Sequence, residues 1–104
     1  MIVEHALLRV RDGEMAAFEE AMARAIPLIA ASPGFHGIEV RPAVGQTGSY
    51  LLLVQWDDVA SHRDGFRASA RYGEWRALLH GFYNPMPEVS YFGPSIIDSP
   101  ASPE

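Results

Sequence analysis

The chain has 104 residues, of which 48% are hydrophobic and 20% charged, and its formal net charge at pH 7 is −5. This length and composition predict a single globular domain. The eight basic residues are all arginines and are scattered, so the sequence lacks the clustered positive charge that nucleic-acid binding requires. The absence of Cys excludes disulfides and thiolate chemistry, and no apolar run is long enough to span a membrane. We therefore expect a cytoplasmic protein with no nucleic-acid or membrane partner.

The first half of the chain predicts a strand, a helix and a second strand. Apolar residues alternate over Ile2 to Val10, which is typical of a strand. From Glu14 they recur at three- and four-residue steps, which predicts an amphipathic helix of about five turns with a kink at Pro27. Ser32-Pro33-Gly34 ends this helix, and Phe35 to Val44 predicts the second strand.

The segment Ser49 to Trp56 predicts the central strand of the sheet, because it is apolar on both faces except near its end. Gly45 to Gly48 predicts a hairpin that joins it to the second strand. Asp57 or Asp58 then supplies the N-cap of a helix that runs through Ala70, with Gly73 as a candidate break. A further helical piece is predicted for Glu74 to His80.

The order is completed by an irregular connector and a short last strand at Glu88 to Phe92. This order, β-α-β-β-α-β, predicts an α+β ferredoxin-like fold with an antiparallel sheet and both helices on one face. We expect one domain over residues 1–93 and a flexible tail over 94–104, since the tail is rich in Pro and Ser. The second face of the sheet stays apolar and uncovered, which predicts a homodimer.

Three segments resemble the antibiotic biosynthesis monooxygenase family: SPGFHGIEV (32–40), LLLVQWDDVASHRDGF (51–66) and EWRALLHGFYNPMPEVSYF (74–92). The resemblance covers roughly Ile2 to Phe92. It implies a dimeric α+β barrel, in which two sheets pack face to face. It also implies oxygenation of phenolic or quinol-like substrates by O2 without a cofactor, or haem degradation.

The residues that these two branches of the family use are only partly present. The haem-degrading branch has an Asn and a helical Trp at two positions where this chain has Ala6 and, near the second position, Gly65. The resemblance therefore does not favour haem degradation. The phenol-oxidising branch combines a Trp at the end of the central strand with an Asn four residues earlier and a Tyr on the following helix. This chain has Leu52 in place of the Asn and His62 in place of the Tyr, and it retains the Trp as Trp56.

Oxygenation without a cofactor requires an apolar pocket, donors for the substrate oxygens and a base. Because His titrates near neutral pH, His62 and His80 are the candidate catalytic residues. A structural role stays open for both, as a partner of a backbone carbonyl or as a positive group at a helix C-terminus. His5 and His36 are expected at the dimer interface, and no histidine spacing predicts a metal site.

The predicted substrate-binding residues are mainly aromatic and flexible apolar side chains between the helices and the sheet, together with polar groups that could hold a substrate oxygen. They are Trp56, Phe66, Trp75, Phe18, Met22, Tyr72, Arg76 and Tyr83. Core packing is the alternative role for most of them.

The leading hypothesis is therefore a homodimeric, cofactor-independent monooxygenase for a small aromatic molecule. The alternative is a non-catalytic dimer that binds a small ligand or serves as an accessory subunit. A gap between helices and sheet filled by Trp56, Phe66 and Trp75 would favour that alternative.

Overall fold

The computed structural model describes residues 1–99, so the last five residues of the predicted tail lie outside the described part of the chain. The elements follow the predicted ferredoxin-like order, and the fold class is confirmed. They are β1 (Ile2–Arg9), α1 (Met15–Ala30), β2 (Phe35–Pro42), β3 (Ser49–Trp56), a π-helical turn (Ser61–Phe66), α2 (Ala70–Leu79), a 3-10 turn (His80–Phe82) and β4 (Ser90–Phe92). Residues 94–99 form neither helix nor strand.

The four strands form one antiparallel sheet in the order β2-β3-β1-β4. β3 is central, as predicted, and pairs with β1 over its whole length, so that Ala6 lies opposite Leu52. Strand alternation then places every second residue of β1 and β3 against the helices. On β1 that buried row includes Glu4 beside Ala6 and Leu8, and on β3 it ends at Trp56.

The core lies between this face of the sheet and the helices. The buried positions of α1 recur at helical spacing and pack onto the buried rows of β1 and β3. The largest fully buried side chains come from both layers: Trp56, Tyr50, Phe18, Phe66, Leu8, Ile29, Leu79 and Val54.

The second helical region differs from the prediction of one helix broken at Gly73. Asp58 does act as a cap, since its Oδ1 accepts hydrogen bonds from the backbone N–H and the hydroxyl of Ser61, both at 2.8 Å. The chain then forms the π-helical turn and bends after Phe66, whose carbonyl accepts from the Ser69 hydroxyl at 2.6 Å. Because Ser69 bonds this carbonyl, the break falls at residues 67–69, and α2 runs through Gly73 without interruption.

Gly34 connects the turn after α1 to the start of the π-helical turn. Its φ of 84° lies in the left-handed region, and its carbonyl accepts from the backbone N–H of Asp57 at 2.8 Å. A Cβ at this position would collide with the side chain of Ser61. The glycine therefore allows the close approach that fixes where the π-helical turn begins.

The other face of the sheet, which we call the open face, carries a mixed set of side chains. Leu7 is 60% exposed and Phe92 is 55% exposed, and His5 contacts Phe92 edge to face with ring centroids 5.6 Å apart. Leu51 and Leu53 are half-buried on the same face. Both helices lie on the opposite face, so these apolar groups face solvent in the single chain.

Candidate active site

A cavity of about 300 Å³ lies between the sheet and the second helical region. Glu4, Ala6 and Leu8 of β1 contribute to its floor, and its wall includes Phe66 from the π-helical turn and Trp75 from α2. These residues are all buried. The cavity therefore extends from the solvent to the centre of the sheet.

The cavity opens where its lining residues are exposed. Arg67, Met86 and Val89 line it and are exposed to solvent, with Met86 at 52% and Val89 at 40%. Arg67 follows the π-helical turn, and the other two belong to the connector before β4. This opening is called the mouth below.

Glu4 places a carboxyl group on the apolar floor. One of its oxygens, Oε1, accepts a hydrogen bond from Trp56 Nε1 at 2.9 Å and lies 3.5 Å from His62 Nε2. The other oxygen, Oε2, makes no hydrogen bond with residues 1–99. No fully buried side-chain N or O atom in that range lacks a partner, so Oε2 reaches the cavity surface. Glu4 can thus exchange a proton with a bound molecule.

His62 is held between Glu4 and β4. Its Nδ1 lies 2.6 Å from the hydroxyl of Tyr91, and β1–β4 pairing sets Tyr91 directly opposite Glu4. Burial raises the pKa of Tyr91, so the phenol stays protonated. We assign the tautomer in which this phenol donates a hydrogen bond to Nδ1. The neutral imidazole then carries its own proton on Nε2, which faces the carboxyl group of Glu4.

Burial shifts the two titrating groups of this pair in opposite directions. Desolvation raises the pKa of Glu4, although the Trp56 hydrogen bond and the charge of Arg67 oppose the rise. Desolvation, with a smaller contribution from Arg67, lowers the pKa of His62 to about 4. His62 is therefore neutral at pH 7, while Glu4 is a stronger base than an exposed carboxylate.

Three further residues that line the cavity, His80, Tyr72 and Tyr83, have rings with polar groups. His80 lies between Tyr72 and Tyr83, with ring centroids 6.1 and 5.9 Å away. Burial is the main cause that lowers the pKa of His80, and burial also raises the pKa of Tyr83. At neutral pH His80 and Tyr83 are therefore uncharged hydrogen-bonding partners for an oxygen in the cavity.

Six of the ten predicted site residues line this cavity: His62, Phe66, Tyr72, Trp75, His80 and Tyr83. Trp56 is fully buried behind His62 and Phe66, with ring centroids 5.5 and 6.2 Å away, and it reaches the site through Glu4. The assignment of His62 and His80 as catalytic stays a prediction.

The remaining three predicted residues lie elsewhere. Phe18 and Met22 line a separate groove of about 340 Å³ between α1 and β2, where the Tyr50 hydroxyl donates to Glu19 at 2.6 Å. Arg76 is exposed on α2 and does not line the cavity. The structure thus does not bring these three to the site that contains His62.

Three polar residues of the site were not identified from the sequence: Glu4, Arg67 and Tyr91. Glu4 gave a usable signal, because it is the one carboxylate in the row Ile2, Glu4, Ala6, Leu8, Val10 that otherwise faces the core. Arg67 and Tyr91 gave no such signal, since their position depends on the bend after Phe66 and on β1–β4 pairing. Within residues 1–99, no three His, Cys, Asp or Glu side chains are grouped closely enough to hold a metal ion.

The fold and the cavity define a small α+β protein with a partly enclosed site that both polar and apolar side chains line. The family model for antibiotic biosynthesis monooxygenases matches residues 1–78, and the chain belongs to this family. The predicted resemblance is thereby confirmed. No helix in the described residues has the length and apolar character needed to cross a membrane.

Individual relatives agree with this assignment. The chain is 40% identical over 92 residues to the uncharacterised Bacillus subtilis protein YczJ, and this alignment covers 88% of this chain and 97% of YczJ. It is 33% identical to a candidate antibiotic biosynthesis monooxygenase from Bordetella bronchiseptica, with a TM-score of 0.87 over 91% of this chain and 97% of the other. The crystal structure of SnoaB, a cofactor-independent oxygenase from Streptomyces nogalater, has the same fold at 21% identity, with a TM-score of 0.80 over 92% and 94% of the two chains.

Proposed function

We propose that the protein is a cofactor-independent monooxygenase for an aromatic, phenolic or quinol-like small molecule. Membership of a family that includes the oxygenase SnoaB supports the reaction class. The observation that carries the proposal is the buried carboxyl of Glu4, which has one oxygen on the cavity surface beneath an aromatic wall. In a non-catalytic protein core, a carboxyl oxygen without a hydrogen-bond partner beside apolar residues would only reduce stability.

Glu4 is the proposed base, and His62 is its positioning partner. The sequence predicted His62 and His80 as candidate bases, but burial lowers the pKa of both, that of His62 to about 4, so their imidazoles hold a proton poorly at neutral pH. Glu4 combines a raised pKa with access to the cavity, so it suits proton removal better. Trp56 Nε1 donates to Oε1, and His62 Nε2 lies 3.5 Å from the same oxygen, which leaves Oε2 for the substrate.

The proposed substrate is a phenol that carries an activated ring methylene group, as anthrones do. Glu4 takes one C–H proton, and the resulting anion transfers one electron to O2. Recombination of the substrate radical with superoxide forms a C–O bond, and the peroxide takes the proton back from Glu4. Loss of the second C–H proton cleaves the O–O bond, so one oxygen atom becomes the new carbonyl and the other leaves as water.

This reaction needs no external reductant, because the methylene carbon loses the four electrons that O2 gains. The protein contributes orientation, because the partly enclosed cavity holds the substrate ring beside Glu4. In this proposal His80, Tyr72 and Tyr83, which line the cavity, donate hydrogen bonds to the substrate oxygens as negative charge develops on them.

Oxygen consumption with a panel of anthrones and hydroquinones tests this function. We expect rates above the no-enzyme control, and one atom of ¹⁸O2 in the product by mass spectrometry. The His62→Ala, His80→Ala double variant should be strongly impaired, while His36→Ala, at an exposed position outside the cavity, should not. Wild-type rates equal to the control across the panel, with ligand binding retained, would instead indicate the non-catalytic binding protein.

We further propose that a second copy of the chain covers the open face. Proteins of this family are commonly dimeric, and Leu7 and Phe92 are more than half exposed in the single chain. Sedimentation velocity at micromolar concentration should show a dimer. Leu7→Glu should shift it towards monomer, because a charge would be buried in the interface. Val44→Glu, at a fully exposed hairpin position, should not, and a wild-type monomer would refute the proposal.

A further inference from the structure

Arg67 provides a positive charge at the mouth of the cavity. It is the one Arg among the cavity-lining residues, and its guanidinium lies 5.6 Å from the centroid of the Tyr72 ring. Its guanidinium makes no ion pair or hydrogen bond with residues 1–99. Stacking on Tyr72 holds the group in place while its N–H donors stay available.

The arginines before and after Arg67 in the sequence, Arg63 and Arg71, both have partners. Arg63 pairs with Asp64, and Arg71 donates to the Leu28 carbonyl at 3.1 Å and to the Ser32 hydroxyl at 2.8 Å. Arg67 lies between them in sequence but points its charge to the cavity. A positioned guanidinium without an acidic partner, beside an apolar site, suits a ligand anion.

We propose that the cavity selects aromatic substrates that carry a carboxylate, and that Arg67 is the specificity-determining residue that binds it. This inference rests on the proposed function for the identity of the reacting ring. The carboxylate lies at the mouth, and the ring extends inward along the aromatic wall that Phe66 and Trp75 form, towards Glu4. The anionic group and the carbon that is oxidised are therefore at opposite ends of the substrate.

The arrangement also separates like charges. Glu4 must be ionised to act as a base, so a substrate carboxylate on the floor would meet a second negative charge. At the mouth the same carboxylate meets Arg67, and it remains partly in contact with water. A bidentate guanidinium–carboxylate contact would then fix the depth and the direction of the ring.

Anaerobic binding measurements test this without requiring turnover. The probes are 1,4-dihydroxy-2-naphthoate and 1,4-dihydroxynaphthalene, which differ by the carboxylate, and the readout is quenching of tryptophan fluorescence, since Trp75 lines the cavity. Wild type should bind the carboxylate more tightly. Arg67→Gln should weaken carboxylate binding roughly 10- to 100-fold and leave the neutral diol unchanged, since one charge-assisted contact is lost.

Two variants complete the test. Arg67→Lys keeps the charge but not the bidentate geometry and should fall between wild type and Arg67→Gln. Arg76→Gln removes an equal charge from α2 outside the cavity and should match wild type. Equal weakening of both probes in Arg67→Gln, or weakening of neither, overturns the proposal. A carboxylate preference without oxygen consumption would uphold this inference while it refutes the oxygenase function.

Discussion

Replacement of Glu4 by Gln is expected to lower kcat by roughly 10²- to 10⁴-fold, the usual contribution of a general base. The amide has nearly the same shape and can still accept the hydrogen bond from Trp56 Nε1, so the cavity should persist. It cannot take a proton from the substrate. Stopped-flow oxygen consumption, with anaerobic binding of the same substrate as a parallel measurement, separates loss of chemistry from loss of binding.

The pH dependence provides a second readout for Glu4. Because burial raises the pKa of Glu4, its carboxylate forms only as the pH rises through a value above the ordinary 4.5. The wild-type rate should therefore rise with pH across that value, and the rise should be absent from any residual activity of Glu4→Gln. Glu74→Gln, at an exposed position on α2, is the matched control and should retain the wild-type profile. Full activity in Glu4→Gln would exclude Glu4 as the base.

The order of elements could be predicted from the sequence because each is marked by its own period. Apolar residues alternate in β1 and β3, and they recur at helical steps in α1. Both periods report which side of an element faces the core, and that is decided locally. The fold class and the central place of β3 followed from these patterns alone.

The composition of the site could be predicted only in part, because it depends on how the elements meet. Because the chain bends at residues 67–69, the side chains of α2 do not continue the helical spacing that ends at Phe66. That change brings Arg67 to the cavity and leaves Arg76 in solvent. Phe18 and Met22 have the expected apolar character, but the part of α1 that carries them lies over β2, so they line the separate groove.

Glu4 shows a different limit. The strand period puts Glu4 in the row that faces the core, but burial of a carboxyl group is costly unless partners are present. Those partners, Trp56 and His62, lie more than fifty residues away in sequence. Only the pairing of β1 with β3 and the placement of the π-helical turn bring the three together.

Trp56→Ala is expected to destabilise the fold by about 3–5 kcal/mol, the usual cost of removing a fully buried large aromatic side chain. Trp56 is 0% exposed and packs against Phe35, His62 and Phe66, with ring centroids 5.5–6.2 Å away. Urea unfolding at one fixed protein concentration measures the change in the free energy of unfolding.

Trp56→Phe separates the two roles of this side chain. It keeps most of the packing but removes the Nε1 donor, so it should cost only about 1–3 kcal/mol, the penalty for leaving the Glu4 carboxyl without that partner. Loss of the donor also raises the pKa of Glu4 further, so the pH–rate profile should move to higher pH. Val44→Ala, at a fully exposed position, should match wild type in both measurements. A stability loss in Trp56→Phe without any movement of the pH profile would show that Trp56 supports the core and does not tune the base.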